Sequence, residues 1–193
     1  MIMVSLIKSL PGRIITKLSP IFKKKKKWQD IEYFDPAWKQ RIVQMANFIE
    51  PETTILDLGC GLMWLKDYLP FGCTYIPVDY CKRSNDTVIS DFNKNQFPAL
   101  NVDIAFISGC LEYIIDYKKF ILSVCGHSQK AIVSYCTTDN YPNIKQRKSA
   151  AWANHLSKNN IVDIFSNNNF SLIKTDITKT NNSIFVFVKN ESK

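Results

Sequence analysis

Residues 57–61, Asp-Leu-Gly-Cys-Gly, follow the most strand-like segment of this 193-residue chain. Glycines that come directly after a buried strand let the backbone turn tightly and let another group approach it closely. In an open α/β sheet, ligands bind beyond the carboxyl ends of the strands. The turn is therefore a candidate contact with a bound ligand, and the side chains around it decide which ligand that is.

Two phosphate-binding motifs fit this turn poorly. A P-loop requires G-x-x-x-x-G-K-[ST], and no Lys-Ser or Lys-Thr pair follows the glycines at that spacing. A dinucleotide fingerprint, G-x-G-x-x-G, requires a third glycine where the chain has Trp64. Carboxylates instead follow the next two predicted strands, at Asp79 and Asp91. The turn thus combines exposed backbone with acidic rather than basic neighbours.

The hydrophobic pattern predicts strands that alternate with helices. Strands are predicted at 54–58, 74–78, 88–89, 102–108, 131–136, 170–177 and 183–188, and helices at 34–50, 63–69, 117–125 and 156–165. This alternation favours a parallel sheet covered on both faces. The last two strands are joined by only a short polar turn, so they must pair antiparallel. The sequence predicts an α/β, three-layer, Rossmann-like domain over residues 28–193, with a seven-stranded, mostly parallel sheet ending in an antiparallel hairpin.

The segment Ile-Leu-Asp-Leu-Gly-Cys-Gly at 55–61 resembles the first motif of class I S-adenosylmethionine-dependent methyltransferases. That family has a seven-stranded sheet that ends in an antiparallel hairpin, and the resemblance covers most of residues 30–190. It implies S-adenosyl-L-methionine as the cofactor and methyl transfer as the activity. The chain departs from the family at Met63, where a third glycine is common, and at Tyr113, where histidine is frequent.

The resemblance implies that eight residues bind the cofactor: Asp57, Gly59, Gly61, Asp79, Asp91, Phe92, Gly109 and Leu111. Asp79 takes the place of the carboxylate that accepts hydrogen bonds from both ribose hydroxyls. Asp91 and Phe92 take the place of the pair that contacts the adenine. Acidic strand ends suit a ribose and an adenine amine, whereas a pyrophosphate would favour basic side chains or free N–H groups. Structural roles remain as alternatives to cofactor binding. Asp57 could cap the glycine turn, Asp91 could cap a helix, and Phe92 could be a core residue.

The stretch 136–156, which follows the fifth predicted strand, is long for a strand-to-helix connection and rich in polar and aromatic residues. We expect it to cover the carboxyl edge of the sheet and to contact the methyl acceptor. His155 is the candidate general base, because an imidazole titrates near neutral pH. Tyr113 is a second catalytic candidate, which would position the acceptor or the sulfonium. Arg147 and Trp152 are candidates for gripping a negatively charged or sugar-like acceptor. Purely structural roles remain open for all four.

The sequence lacks the N-P-P-[FYW] run of the amino-methylating members of the family, which disfavours DNA and protein amides as acceptors. The expectation is methylation of a small-molecule or glycan-type acceptor, at an oxygen atom. Two alternatives remain: an RNA methyltransferase that uses a basic tail, and a non-catalytic cofactor-binding or scaffold protein.

The net charge of +8 arises at the amino terminus. Residues 1–29 contain eight basic residues and no acidic one, whereas residues 30–193 contain seventeen of each sign. A nucleic-acid enzyme usually carries its positive surface around the site that meets the phosphates. The neutral body therefore disfavours a nucleic-acid partner.

Residues 1–27 are predicted to form a basic amphipathic tail with five consecutive lysines at 23–27. Lysine runs of this kind adsorb to anionic membranes. A solvated tail and an arm that docks a partner or a nucleic acid are the alternatives. No run approaches the ~20 apolar residues of a membrane span, and the pattern differs from that of a signal peptide. The expectation is a cytoplasmic protein, with peripheral attachment to the inner face of the membrane left open. Six scattered cysteines without a C-x-x-C pair predict reduced thiols and no metal.

Overall fold

The computed structural model describes residues 27–191. The predictions for the basic tail, and with them the membrane and arm alternatives, fall on residues 1–26 and so lie outside the described residues. Within 27–191, no helix has the length and apolar character needed to cross a membrane. In the same range, no group of three or more His, Cys, Asp or Glu side chains is arranged to hold a metal ion.

Seven strands within residues 27–191 form one sheet: β1 Thr54–Leu58, β2 Thr74–Asp79, β3 Val88–Ile89, β4 Val102–Ser108, β5 Ser128–Tyr135, β6 Phe170–Ile177 and β7 Ser183–Lys189. Their spatial order is β3-β2-β1-β4-β5-β7-β6. Strands β1 to β5 pair in parallel, and β7 runs antiparallel to both β5 and β6. The predicted mostly parallel sheet with a terminal antiparallel hairpin is confirmed.

In the described range, four α-helices surround the sheet: α1 Trp38–Ala46, α2 Tyr117–His127, α3 Ile144–Ser149 and α4 Lys158–Ser166. The same range contains four short 3-10 helices, at Trp28–Asp30, Trp64–Tyr68, Phe92–Lys94 and Leu111–Tyr113. The helix predicted after β1 is thus only a 3-10 helix, and α3 was not predicted. Helix α1 begins later than predicted because Asp35 closes a turn before it, accepting a hydrogen bond from the amide of Ala37 at 2.9 Å.

Successive residues of β1 point to opposite faces of the sheet, as the strand geometry requires. Leu56 packs into the larger core, beneath α2 and α4, whereas Ile55 packs into the second core, beneath α1. Asp57 therefore lies on the same face as Ile55 and α1. Both faces are covered, which gives the predicted three layers.

The carboxyl ends of β1, β2, β4 and β5 meet at one edge of the sheet because these strands are parallel. Strand β6 runs in the direction of β5, since both are antiparallel to β7. The hairpin turn at 178–182 consequently lies at that same edge. The fold thus brings the turn 59–61, the end of β2, the segment after β4 and the hairpin turn to one side of the molecule.

Candidate active site

The turn after β1 is held against the end of β2 by backbone hydrogen bonds. The amides of Gly59 and Cys60 both donate to the carbonyl oxygen of Val78, at 2.8 and 3.0 Å. Gly59 has a φ of +82°, and a Cβ atom there would lie 2.7 Å from the Sγ atom of Cys110. Only glycine avoids both the strained conformation and this overlap.

Met63 has a φ of +56°, in the left-handed region. This is the position at which the sequence departs from the third glycine of the resembling family. A non-glycine residue in this conformation costs roughly 1–2 kcal/mol. The chain therefore keeps the backbone shape that suits glycine while carrying a methionine, which begins the 3-10 helix at Trp64.

Asp57 is buried under the turn, with 4% of its surface exposed. Its Oδ2 atom accepts a hydrogen bond from the Tyr75 hydroxyl at 2.7 Å, which ties β1 to β2. Burial raises the pKa of the Asp57 carboxyl to about 7, and the nearby charge of Asp79 acts in the same direction, while the bond from Tyr75 opposes them. Asp57 thus supports the turn from inside the protein.

Asp79 ends β2 and is also buried, with 4% of its surface exposed. Its Oδ2 atom accepts a hydrogen bond from the amide of Gly61 at 2.9 Å. The same carboxylate forms an ion pair with Arg83, whose Nε atom lies 3.2 Å from Oδ2 and whose Nη2 donates to Oδ1 at 3.3 Å. The predicted ribose carboxylate therefore already holds the glycine turn and a guanidinium.

Arg83 also binds Glu32, which precedes α1. Its Nη1 atom donates to Oε2 of Glu32 at 3.1 Å, its Nη2 atom donates to Oε1, and the Tyr80 hydroxyl donates to Oε1 at 3.0 Å. These hydrogen bonds, that from Arg83 above all, lower the pKa of Glu32. Arg83 is thus shared between two carboxylates, one at the end of β2 and one on the segment that precedes α1.

Residues 28–35, which we call the N-terminal cover, lie over the glycine turn. A Cβ atom on Gly61 would lie 2.5 Å from Cε1 of Phe34, and the Phe34 ring carries the Arg83 guanidinium at 5.3 Å. Further along the cover, the Trp28 ring lies 4.7 Å from the ring of Tyr113. In this conformation Gly61 and Asp79 contact the chain's own residues rather than solvent.

Asp91 and Phe92, the predicted adenine pair, follow β3 after the single residue Ser90. The amide of Ser90 donates to the carbonyl oxygen of Asp79 at 2.8 Å, which places Asp91 beside the end of β2. Asp91 caps the 3-10 helix that follows and pairs with Lys94 at 3.2 Å. The Phe92 ring packs against Phe120 of α2 at 4.9 Å. Both residues thus have the structural contacts that the sequence left open for them.

The segment after β4 packs against Arg41 of α1 and carries the buried Glu112, two charged residues that sequence reasoning missed. Gly109 has a φ of +66°, and a Cβ atom there would lie 2.6 Å from Nη2 of Arg41. Glu112 is 2% exposed, and its Oε1 atom accepts a hydrogen bond from the amide of Cys136 at 2.9 Å. Its Oε2 atom has no hydrogen-bond partner within residues 27–191, and burial raises the pKa of this carboxyl. Leu111, which lies between Gly109 and Glu112 in the sequence, is a fully buried core residue.

Two of the predicted acceptor-side residues are in contact. The indole Nε1 of Trp152 donates to the hydroxyl of Tyr113 at 3.3 Å. Burial, with the nearby charge of Glu112, raises the pKa of Tyr113, so its hydroxyl stays protonated at neutral pH. Tyr113 is half-buried beneath Trp28 of the N-terminal cover.

Arg147 is 1% exposed and bonds protein acceptors. Its Nη1 donates to the carbonyl of Cys136 at 2.5 Å, its Nη2 to the Tyr135 hydroxyl at 2.9 Å, and its Nε to Nδ1 of His155 at 3.1 Å. The guanidinium also lies over the Trp152 ring at 4.7 Å. Arg147 therefore ties the 136–156 stretch together and offers no exposed donor to an acceptor molecule in this conformation.

His155 accepts the bond from Arg147 through Nδ1, so its proton must reside on Nε2. Burial lowers the pKa of His155, and the charges of Arg147 and Lys148 lower it further. The ring is thus neutral, but the lone pair that a general base would use is engaged by a guanidinium. This geometry gives the base role of His155 no support.

No model of a known protein family matches the sequence, and neither does any curated protein. Solved structures match the fold. A chain of the complex between the Haloferax volcanii Trm112 methyltransferase activator and the putative methyltransferase has a TM-score of 0.66 at 13% identity, over 80% of this chain and 90% of that one. Magnesium protoporphyrin IX methyltransferase from Synechocystis PCC 6803 with bound SAH has a TM-score of 0.62 at 14% identity, over 79% and 83%. The pyocyanin biosynthetic protein PhzM has a TM-score of 0.60 at 11% identity over 77% of this chain. The match covers only 54% of the length of PhzM.

The raised pKa of Asp57 predicts how stability depends on pH. The folded state favours the protonated carboxyl, so this group's contribution to the free energy of unfolding falls as the pH rises from about 4 to about 7, by up to about 1.4 kcal/mol per pH unit. We expect Asp57→Asn to remove this fall, measured by urea unfolding at pH 5 and pH 7.5. Asp86→Asn, at an exposed position of the loop after β2, should keep the wild-type slope. An unchanged slope in Asp57→Asn would contradict the assignment.

The contacts of Arg147 predict a structural role. Arg147→Met should lower the free energy of unfolding by about 3 kcal/mol, because it removes the side-chain donor to the buried Cys136 carbonyl and one of the two donors to the buried Tyr135 hydroxyl, which keeps only the amide of Leu156. The neighbouring Lys148→Met, at an exposed position, should change it by less than about 0.5 kcal/mol. Equal stability of the two variants, measured by chemical denaturation, would instead favour a functional role for Arg147.

Proposed function

We propose that this chain, which has the fold of class I S-adenosylmethionine-dependent methyltransferases, binds S-adenosyl-L-methionine at the carboxyl edge of its sheet and methylates a small-molecule or glycan-type acceptor, at an oxygen atom. The observation that carries the proposal is the bond between the carboxylate of Asp79 and the amide of Gly61. It joins, in one place, the acidic end of β2 and the glycine turn after β1, which are the two features that the cofactor requires.

The residues fit the chemistry of the cofactor. S-adenosylmethionine carries ribose hydroxyls, an amino-acid group and a sulfonium cation, and it has no phosphate. Asp79 would accept hydrogen bonds from the ribose hydroxyls, and its buried carboxylate favours the sulfonium charge over an anionic ligand. The structure of the Synechocystis enzyme contains SAH, which supports a ligand of this class for the shared fold.

Binding at this place requires the N-terminal cover to move. The Phe34 ring fills the space above Gly61, and Arg83 forms an ion pair with the carboxylate of Asp79. Glu32 holds Arg83 from the other side, so the guanidinium keeps one carboxylate partner when the ribose takes the other. The cover would then lie over the bound cofactor and exclude water from it.

Methyl transfer itself asks little of the protein beyond alignment and exclusion of water, so approximation can supply most of the rate. The cofactor supplies an electrophilic methyl group on its sulfonium. Tyr113 and Trp152, in contact with each other and next to Glu112, are the side chains that we propose to position the acceptor. The small-molecule class of acceptor is supported by the magnesium protoporphyrin IX methyltransferase among the structures that share the fold.

Replacing the carboxylate of Asp79 tests cofactor binding directly. Asp79→Ala should weaken binding of S-adenosylhomocysteine about 100-fold, because two hydrogen bonds to a charged acceptor are lost. Isothermal titration calorimetry measures this, with Asp86→Ala as the matched control at an exposed position of the adjoining loop. Normal binding by a folded Asp79→Ala protein would refute the proposal. A melting curve recorded on the same sample establishes that it is folded.

Replacing Arg83 tests the displacement that binding requires. If Arg83 competes with the ribose for Asp79, Arg83→Met should tighten S-adenosylhomocysteine binding about tenfold, since about 1.4 kcal/mol of competing interaction is removed. The adjacent, exposed Lys82→Met serves as the control for the loss of one positive charge. Weaker binding in Arg83→Met alone would mean that the guanidinium stays with the bound cofactor.

A further inference from the structure

A groove of about 180 Å³ opens between α1 and the hairpin turn that joins β6 to β7. Its polar lining consists of Gln40, Arg41, Gln44, Thr178, Lys179 and Thr180. The two hydroxyls, two amides and two cations give it a lining with many hydrogen-bond donors. A cavity of this size holds one polar group of a ligand rather than a whole drug-sized molecule, whose pocket is typically about 300–1,000 Å³.

The positive charge of Arg41 has no carboxylate to neutralise it at close range. Its Nε donates to the Ser108 hydroxyl at 3.0 Å and its Nη1 to Oδ1 of Asn182 at 3.3 Å, both of which are neutral acceptors. Within residues 27–191, its Nη2 has no hydrogen-bond partner and no acidic group forms an ion pair with it. Burial lowers the pKa of Arg41, which is the expected cost of a guanidinium held out of water without a counter-ion.

Two carboxylates lie near the groove, and each accepts a hydrogen bond from another group of the protein. Glu112, which attracts Arg41 electrostatically, accepts a hydrogen bond from the amide of Cys136 at 2.9 Å. Asp176, at the end of β6, accepts a hydrogen bond from Nε2 of Gln44 at 2.6 Å. Lys179 adds a second cation, on the exposed hairpin turn. The lining of the groove thus contains two cations, Arg41 and Lys179, and the carboxylate of Asp176 bonds the lining residue Gln44.

The groove adjoins the place where methyl transfer would occur. Arg41 bonds Ser108, the last residue of β4, and its Nη2 lies against the backbone of Gly109. Gly109 begins the segment that lines the methionine end of the cofactor in the resembling family. A molecule with an anionic group in the groove would thus extend its remaining atoms toward the donated methyl group.

We propose that the groove between α1 and the hairpin turn binds the anionic group of the methyl acceptor, a carboxylate or a phosphate. Arg41 would donate to such a group through Nη2, since Nε and Nη1 already bond Ser108 and Asn182. Lys179 and one hydroxyl of the hydrogen-bonded pair Thr178 and Thr180 would complete its coordination. The acceptor is then an anionic small molecule, such as a sugar acid or a sugar phosphate. The anion site itself is inferred from the groove alone. The identification of its ligand as the methyl acceptor rests on the proposed methyl transfer.

Acetate and inorganic phosphate are the probes that test the groove, added to the full chain at constant ionic strength and followed by two-dimensional NMR. We expect chemical-shift changes of the Arg41 Nε–H and of the backbone amides at 178–180. A larger change with acetate identifies a carboxylate site, and a larger change with phosphate identifies a phosphate site. Arg41→Gln should weaken binding of that anion by at least about tenfold, since a hydrogen bond to a charged group is lost. Arg41→Lys should restore part of it.

Two further variants separate the groove from general charge effects. Lys179→Gln, at an exposed position that leaves the core untouched, should weaken binding about threefold. Lys174→Gln, also exposed and on β6 outside the groove, should leave it unchanged. Absence of any groove shift in the wild type, or equal weakening by Lys174→Gln and Arg41→Gln, would overturn the anion site.

Calorimetry with S-adenosylhomocysteine distinguishes failure of this inference from failure of the proposed function. We expect Arg41→Gln to bind S-adenosylhomocysteine with wild-type affinity while losing the anion. Loss of S-adenosylhomocysteine binding with the anion retained would assign Arg41 to the cofactor and overturn the acceptor role. Anion binding in a wild-type protein that does not bind S-adenosylhomocysteine would refute methyl transfer and leave the groove as an anion site of another kind.

Discussion

The carboxylate of Asp79 is the interaction on which the arrangement of this edge depends. One oxygen holds the amide of Gly61 at 2.9 Å, and the same side chain holds Arg83, which in turn holds Glu32 of the N-terminal cover. Because Asp79 is buried, each of these bonds is stronger than it would be in water, and losing one would leave a costly unpaired charge. The glycine turn, the loop after β2 and the cover are therefore fixed by one group.

Most of the fold follows from local patterns, whereas the contacts of charged residues do not. Alternating apolar strands and a short final turn were enough to predict the sheet and its hairpin, because burial on two faces dictates those patterns. Helix α3 was missed because Ile144–Ser149 is short and mostly polar. The signal for it in the sequence is Asn143, whose side chain caps the helix by accepting hydrogen bonds from two backbone amides.

The sequence predicted where the backbone of the candidate site lies, but it did not predict the contacts of the arginines there. Gly59, Gly61 and Asp79 are brought together as the motif implied, since strand order alone places them at one edge. Arg147 was a candidate for gripping the acceptor, but its hydrogen bonds to the Cys136 carbonyl and the Tyr135 hydroxyl bury it. The sequence made no prediction for Arg41, and only the tertiary packing of α1 against Ser108 shows its place. Long flexible side chains reach partners that sequence spacing does not specify.

The two arginines at this edge differ in a way that follows from their partners. Arg83 lies between two carboxylates, so its charge is compensated and a ligand at Asp79 has to compete with it. Arg41 bonds a hydroxyl and an amide oxygen and forms no ion pair within residues 27–191, so only the longer-range attraction of Glu112 offsets its charge and an anion would gain from it. Because burial strengthens such interactions, the groove at Arg41 favours an anion, whereas the carboxylate of Asp79 suits the ribose of a cationic donor. With the ribose at Asp79 and an anionic acceptor at Arg41, the sulfonium and the acceptor would meet near Gly109.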